Sequence, residues 1–333
     1  MSKLTRRDRE AVGRKRILNI LKSLGVANPR TLEQKISDAG PNPVRVDPHI
    51  LTPVRNALVM EGVVSKVARA GTSWFYTTDC DVALREARLS ELSTIYNELN
   101  HHDVRKRIGQ TLEIATYRAI CDAGHTSFGR YRDINDHDDS MLYSKDEPPS
   151  HISNRSIGAK SLDFMVSHQN AGIIGIECKN IREWLYPDRN EVKDALYKCL
   201  TLDCIPVIIG RRIPYVTSRL LKPCGVIIHQ TFNQLLPRSE QAIADKAKHK
   251  HLLGYHDIRT GNIPDARLAT FIGTNMMAVA EEARQKFDAH KDLIEGFIDG
   301  SLPYHEFAAR IRRRENGLNE DYDWDENDPA DWW

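Results

Sequence analysis

The residues best suited to chemistry in this chain are Asp163 and, after thirteen intervening residues, the tripeptide Glu177-Cys178-Lys179. The segment Ser161-Leu162-Asp163-Phe164-Met165-Val166-Ser167 alternates as a strand. Gly172-Ile173-Ile174-Gly175-Ile176-Glu177-Cys178-Lys179-Asn180 reads as a second strand, with Gln169-Asn170-Ala171-Gly172 as the turn between them. Side chains alternate across a strand, so Glu177 and Lys179 share one face and Ile174, Ile176 and Cys178 the other. In the hairpin, Asp163 comes level with Glu177. Two carboxylates and an ammonium at one point of a sheet suit a hard divalent cation and the water it activates. Charges on a strand this apolar are costly without a task or partners. The alternative is a Glu177–Lys179 pair bridged to Asp163 with a purely structural role.

The elements that position these residues follow from periodicity. A helix is expected over Arg105 to Asp122, carrying Glu113 one turn from Gly109 on one face, where close approach to the sheet is expected. A second is expected over Asn190 to Leu202, followed by apolar strands at Ile205 to Ile209 and Gly225 to Ile228. The pattern Asp163, thirteen residues, Glu177-Cys178-Lys179, set among these elements, resembles the PD-(D/E)XK nuclease superfamily, the restriction-endonuclease-like fold. Leu162 stands where that family has proline. The resemblance spans about Arg105 to Leu236. It implies a core of helix, three-stranded antiparallel meander, helix and further strand, and hydrolysis of phosphodiester bonds. It also implies that Asp163, Glu177 and the backbone carbonyl of Cys178 hold Mg2+ or Mn2+, with Glu113 joining directly or through water. Lys179 would orient the attacking water and stabilise the transition state.

The first eighty residues carry a different signal. A helix from about Arg6 to Leu24 (Val12, Ile17, Ile20, Leu21 and Leu24 as its stripe) stops at Gly25. Asn28-Pro29 opens a second helix with Leu32 and Ile36 buried, ending near Gly40 before the breaker Pro41-Asn42-Pro43. Asp47-Pro48 opens a third, to about Met60, with Ile50, Leu51, Val54, Leu58 and Val59 inward and His49, Thr52, Arg55 and Asn56 outward. Two short strands around Ala70-Gly71-Thr72 follow. From Arg6 to Thr78 the chain resembles the winged helix-turn-helix family, which implies that the third helix enters the major groove and the wing meets the backbone. His49, Thr52, Arg55 and Asn56 would then face base edges, and Lys66 and Arg69 phosphate. Winged helices also serve as protein-binding modules, which leaves an adaptor role open.

Composition narrows the classes. Across 333 residues, 47 Lys and Arg balance 46 Asp and Glu, but residues 1–79 hold fourteen bases against seven acids. A basic head points to a polyanion. The last fifteen residues carry seven acids, no base and three tryptophans, Trp324, Trp332 and Trp333. That tail is read as disordered, with a protein partner or the shielding of a basic groove as its alternatives. No apolar run approaches the roughly 18–20 residues of a membrane span. The basic start lacks the apolar stretch of a secretory leader. The six cysteines have neither zinc nor disulfide spacing and read as core residues of a cytoplasmic protein.

Several weaker features complete the reading. Asp133 to Ser161, with the acidic run Asp133-Ile134-Asn135-Asp136-His137-Asp138-Asp139, is expected to be a mobile loop over the site. His101-His102 is read as solvated. Tyr197 and Lys193 are read as ordinary amphipathic-helix residues. Arg211-Arg212 is a solvated strand end or a phosphate contact. Lys246, Lys248, His249, Lys250 and His251 are a helical basic run near the catalytic core. The expected organisation is an α/β chain: a winged helix (1–79), a linking helix (80–104), an αβββαβ nuclease core (105–236), a helical extension (237–318) and an acidic tail (319–333). Phe271, Ile272, Met276, Met277, Val279, Phe287, Leu293, Ile294 and Phe297 are the expected packing residues of the extension. The expected function is that of a Mg2+- or Mn2+-dependent DNA endonuclease, a homodimer if both strands are cut, in a restriction or anti-phage setting. A branched-DNA or repair nuclease and a non-catalytic DNA-binding regulator are the alternatives.

Overall fold

Helix α1 (Arg6–Leu24) begins at a reciprocal cap: the Thr5 hydroxyl accepts the Asp8 N–H at 3.2 Å, and the Asp8 carboxylate accepts the Thr5 N–H at 2.9 Å. It ends at Gly25, whose φ of 79° is open to glycine at no steric cost. The computed structural model describes residues 5–39, 44, 46–135 and 137–320. The expected breaker at Pro41-Asn42-Pro43, Asp136, and the tail with Trp324, Trp332 and Trp333 lie outside the described residues.

Asn28 caps α2 (Pro29–Ile36) through a 2.8 Å bond from the Thr31 N–H. This helix stops short of the expected Gly40, because the N–H groups of Ser37 and Asp38 both turn back to the Glu33 carbonyl. Helix α3 (Pro48–Met60) buries Ile50, Leu51, Val54 and Leu58 against Ile17 and Leu21 of α1. Strands β1 (Val64–Arg69) and β2 (Thr72–Thr77) pair antiparallel across Ala70 and Gly71, both at positive φ, the geometry of a two-residue hairpin turn. Phe75 also exchanges backbone hydrogen bonds with Ala27, so a third segment joins the small sheet. Helix α4 (Val82–Leu99) lays Tyr96 edge-on against the fully buried Trp74.

Helix α5 (His102–Asp122) leads into a five-stranded mixed sheet. Its strands are β3 (Ser127–Phe128), β8 (Phe164–His168), β9 (Gly172–Lys179), β10 (Ile205–Gly210) and β11 (Ile227–Gln230), in the spatial order β11-β10-β9-β8-β3. β8 runs antiparallel to both of its neighbours, β3 and β9, whereas β9, β10 and β11 run parallel. Helix α6 (Asn190–Leu202) connects β9 to β10, and α7 (Tyr215–Leu221) connects β10 to β11, as parallel pairing requires. Residues Asp133 to Ser161, expected to be a mobile loop, instead contribute to two small ladders. β4 (Arg130–Tyr131) pairs with β5 (Lys145–Asp146), and β6 (His151–Ile152) pairs with β7 (Arg155–Ser156).

The chain then forms α8 (Gln241–Lys248), α9 (Ala266–Thr270), one π turn (Phe271–Asn275), α10 (Met276–Ala278), α11 (Ala280–Ala289), α12 (Lys291–Asp299) and α13 (Tyr304–Glu315). One sheet face packs Phe164, Ile174 and Ile176 against Leu112 and Ala115 of α5 and against Ile272 and Met276. A second core joins Ile208 to Val192 and Leu196 of α6 and to Phe297 and Phe307. Val279, expected in the core, is 41% exposed at the break between α10 and α11. Gly109 does not mark a close approach, since a Cβ there would meet nothing within 4 Å.

The chain divides into two compact units, one formed by the residues up to Lys106 with Arg238–Thr260, the other by Arg107–Pro237 with the residues from Gly261 on. The segment Arg238–Thr260, expected in the C-terminal extension, therefore belongs to the first unit. There, α8 packs on α4, and Tyr255 donates to the Asn28 carboxamide oxygen at 3.4 Å. Cys178, Cys199, Cys204 and Cys224 are buried core residues, but Cys121 is exposed and Cys80 half-buried; all six are free thiols.

Candidate functional site

Asp163 precedes the first residue of β8, and its N–H donates to the Ile176 carbonyl at 3.1 Å. Phe164 pairs with Ile176, so continuing the register by one residue sets Asp163 across from Glu177. The Asp163 carboxylate also accepts the Cys178 N–H at 2.6 Å, which ties this side chain to β9. The sequence-predicted Asp163, Glu177 and Lys179 are thus brought together at the end of two adjacent strands.

Glu177 is only 1% exposed. Its carboxylate accepts hydrogen bonds from Lys179 and, at 2.7 Å, from Lys198 of α6. Lys198 also pairs with Asp194 at 2.9 Å, and Asp194 with Lys160, so a line of alternating charge runs from the buried acid to the surface. Burial, then the Asp163 charge, pushes the Glu177 pKa up, while Lys179 and Lys198 pull it back. Burial disfavours the charged form of Lys179, but Glu177 and Asp163 outweigh it and hold the ammonium protonated.

Glu113 approaches from α5. It accepts from the Tyr131 hydroxyl and the Lys145 ammonium, each at 2.8 Å, and Lys145 lies 3.7 Å from Asp163. Burial and the Asp163 charge raise the Glu113 pKa to about 7, against the pull of Lys145. Asp163 is therefore the charge common to two half-clusters. One is Glu113, Tyr131 and Lys145 toward α5; the other is Glu177, Lys179 and Lys198 toward α6.

Lys145, Lys198 and Tyr131 were not singled out by the sequence. Lys198 carried a readable signal: it falls among Val192, Ala195, Leu196, Cys199 and Leu202 on the buried face of α6, where a charge needs a partner. Lys145 carried none, because its polar segment has no periodicity. The Cys178 thiol points to Thr116 at 3.4 Å, and burial raises its pKa, so the side chain packs while only the backbone remains for ligation.

Three carboxylates within one electrostatic field, two of them with pKa values raised by burial and then by the third, fit a hard divalent cation in charge and donor type. Among the described residues, no group of three or more His, Cys, Asp or Glu side chains is arranged to hold a metal ion as it stands. Lysines occupy the carboxylate oxygens a cation would take, so its binding requires Glu177 to release Lys179 or Lys198. Asp133, Asp138 and Asp139 do not converge on an ion: they accept from Ser144, Ser140 and Tyr143, respectively.

The first unit holds a separate feature. A cleft of about 760 Å3 between α3 and the β1–β2 hairpin is lined by Arg55, Asn56, Lys66, Arg69 and Phe75, among others. It contains four of the six side chains expected to touch nucleic acid. His49 and Thr52 are exposed further along α3, outside its lining. The Arg55 guanidinium lies 4.9 Å from the Phe75 ring centroid, and its Nε is buried without a hydrogen-bond partner. The basic run is split, with Lys246 and Lys248 on α8 and His249, Lys250 and His251 beyond its end, and it belongs to the first unit, whereas the carboxylates belong to the second. Lys248 pairs with Asp245 at 2.8 Å.

Arg211, read as solvated or phosphate-facing, is 2% exposed and donates to the carbonyls of Ile181 and Arg182. Lys193 donates to the Phe297 carbonyl at 2.8 Å, a structural role as expected. No helix among the described residues is long and apolar enough to cross a membrane. Comparison of the chain with protein-family models, with curated proteins and with solved structures finds no match.

Proposed function

We propose that this chain is a metal-dependent endonuclease of the PD-(D/E)XK type, acting on DNA gripped by a winged helix. The observation that carries the reading is the convergence of Asp163, Glu177 and Lys179 at one strand end, with Glu113 reaching the same aspartate from α5. The order α5, β3, β8, β9, α6, β10 also supports it, since three antiparallel strands are followed by a helix and a parallel strand. In this reading Asp163, Glu177 and the Cys178 carbonyl hold Mg2+ or Mn2+, with Glu113 joining them. When bound, the ion supplies a water of lowered pKa and neutralises charge on the scissile phosphate.

The chain's own groups do the rest. Lys179 orients the attacking water and stabilises negative charge on the phosphoryl oxygens. Lys198 and Lys145 offset part of the burial penalty on Glu177 and Glu113, whose pKa values nevertheless stay raised. Arg55 and Asn56 of α3 face base edges, and Lys66 and Arg69 meet phosphate. Cleavage of both strands at one site needs two such centres, and hence a homodimer.

A second reading is favoured by one observation: three lysines already occupy the cluster's carboxylates without an ion. The chain would then be a DNA-binding regulator that keeps the fold without the chemistry. Mn2+ binding followed by water-proton relaxation separates the two. The nuclease reading expects binding that Asp163→Asn abolishes, and its absence in the wild-type chain would favour the regulator.

A further inference from the structure

Lys145 opens β5 in a polar segment, yet its side chain is only 8% exposed. Its ammonium meets three carboxylates: Glu113 at 2.8 Å, Glu147 at 3.3 Å and Asp163 at 3.7 Å. It also lies over two buried rings, 5.1 Å from the Phe164 centroid and 5.8 Å from that of Tyr131. A lysine gives up hydration and side-chain freedom to sit there, and a single acid would suffice to pair it. Instead α5 and the residue before β8 each send it one, and the second of these is the aspartate central to the site.

The three lysines of the cluster differ in what an arriving metal ion does to them. Lys179 is paired with Glu177 and, at 21% exposed, has a path toward water. Lys198 keeps Asp194 at 2.9 Å when Glu177 is taken from it. Lys145 has no comparable outlet. Moving out toward Glu147, its exposed partner, would give up both inner acids and both rings. An ion entering at Glu177 therefore displaces a lysine that has somewhere to go, whereas one entering between Glu113 and Asp163 does not.

Sites built for two metal ions hold them about 4 Å apart. Here an ammonium already lies between Asp163 and Glu113, on the α5 side of the cluster, and its charge repels a second divalent ion. We propose that Lys145 is a built-in cation standing in the place of a second metal ion, so that the site holds one divalent ion per chain, on the side of Asp163 toward Glu177. This rests on the nuclease reading and deepens it. The fixed ammonium supplies one positive charge where a second ion would supply two. Glu113 still has an oxygen for the single ion, because Tyr131 and Lys145 both donate to its Oε2 and leave Oε1.

The test counts Mn2+ bound to the full-length chain, by electron paramagnetic resonance of the free ion, for wild type and Lys145→Met. Thermal melting of both is followed in EDTA and with Mn2+. Methionine keeps most of the side-chain stem without its charge. Wild type is expected to bind one Mn2+ and Lys145→Met two. In EDTA the variant is expected to melt below wild type, because Glu113 and Asp163 lose their common counter-charge, and Mn2+ is expected to close most of that gap. A variant that does not fold in EDTA is accordingly expected to fold once Mn2+ is added, and its failure to do so would overturn the proposal. One Mn2+ on each chain, or two on wild type, would overturn the built-in cation and leave the nuclease reading standing. A wild-type chain that binds no Mn2+ would overturn both.

Discussion

Keeping Glu177 ionised at 1% exposure would cost several kcal/mol if it stood alone; Lys179 and Lys198 supply the compensation. Glu113 is less well compensated, and its behaviour with pH follows. It ionises near 4.5 in the unfolded chain and near 7 in the folded one. Between those values the folded state holds the proton and the unfolded state does not, so stability falls as pH rises from about 4.5 to about 7. At about 1.4 kcal/mol per pH unit, the loss is on the order of 3–4 kcal/mol. Urea unfolding of the metal-free protein across this window should show that decline, and Glu113→Gln should flatten it. An equal decline in Glu113→Gln would place the linked proton elsewhere. The acids and Lys179 were legible in the sequence because alternation along an apolar strand fixes which side chains share a face. Lys145 was not, because nothing local distinguishes a lysine that turns inward from one that stays in water.

Among the elements, the turn before β4 lies against the backbone of Asp163. Gly129 has φ 96°, and a Cβ there would come within 2.7 Å of the Asp163 carbonyl and 2.8 Å of the Phe164 ring. Gly129→Ala must displace the backbone that carries Asp163. It is expected to lower Tm and to cut any metal-dependent cleavage by roughly tenfold to a hundredfold, as ångström-scale misplacement does. Unchanged cleavage, assayed beside wild type, would mean Asp163 needs no such support. The register of β8 on β9 and the span of α6 were readable from periodicity and agree with the structure. The ladders within Asp133 to Ser161 were not, since two-residue strands carry no period. Helix α7 was not anticipated either: it has seven residues, short for a periodic signal.

For the whole molecule, the chain leaves its first unit near Lys106, builds the sheet, and returns to the first unit from Arg238 to Thr260. A sequence read in contiguous blocks does not show such a return, because α8 carries the same amphipathic pattern wherever it packs. The return adds exposed bases such as Lys246 and Lys250 to a unit whose first 79 residues already hold twice as many bases as acids. That concentration of positive charge is the whole-chain property on which the proposed grip on nucleic acid rests. In the proposed function, Asp163, Glu177 and Lys179 cut what the first unit holds. The most direct test is incubation of supercoiled plasmid with the full chain and Mg2+ or Mn2+, beside EDTA, Asp163→Ala and Lys179→Ala. Nicked or linear products are expected with wild type and metal alone. An intact plasmid, with the chain still bound to it, would contradict the nuclease.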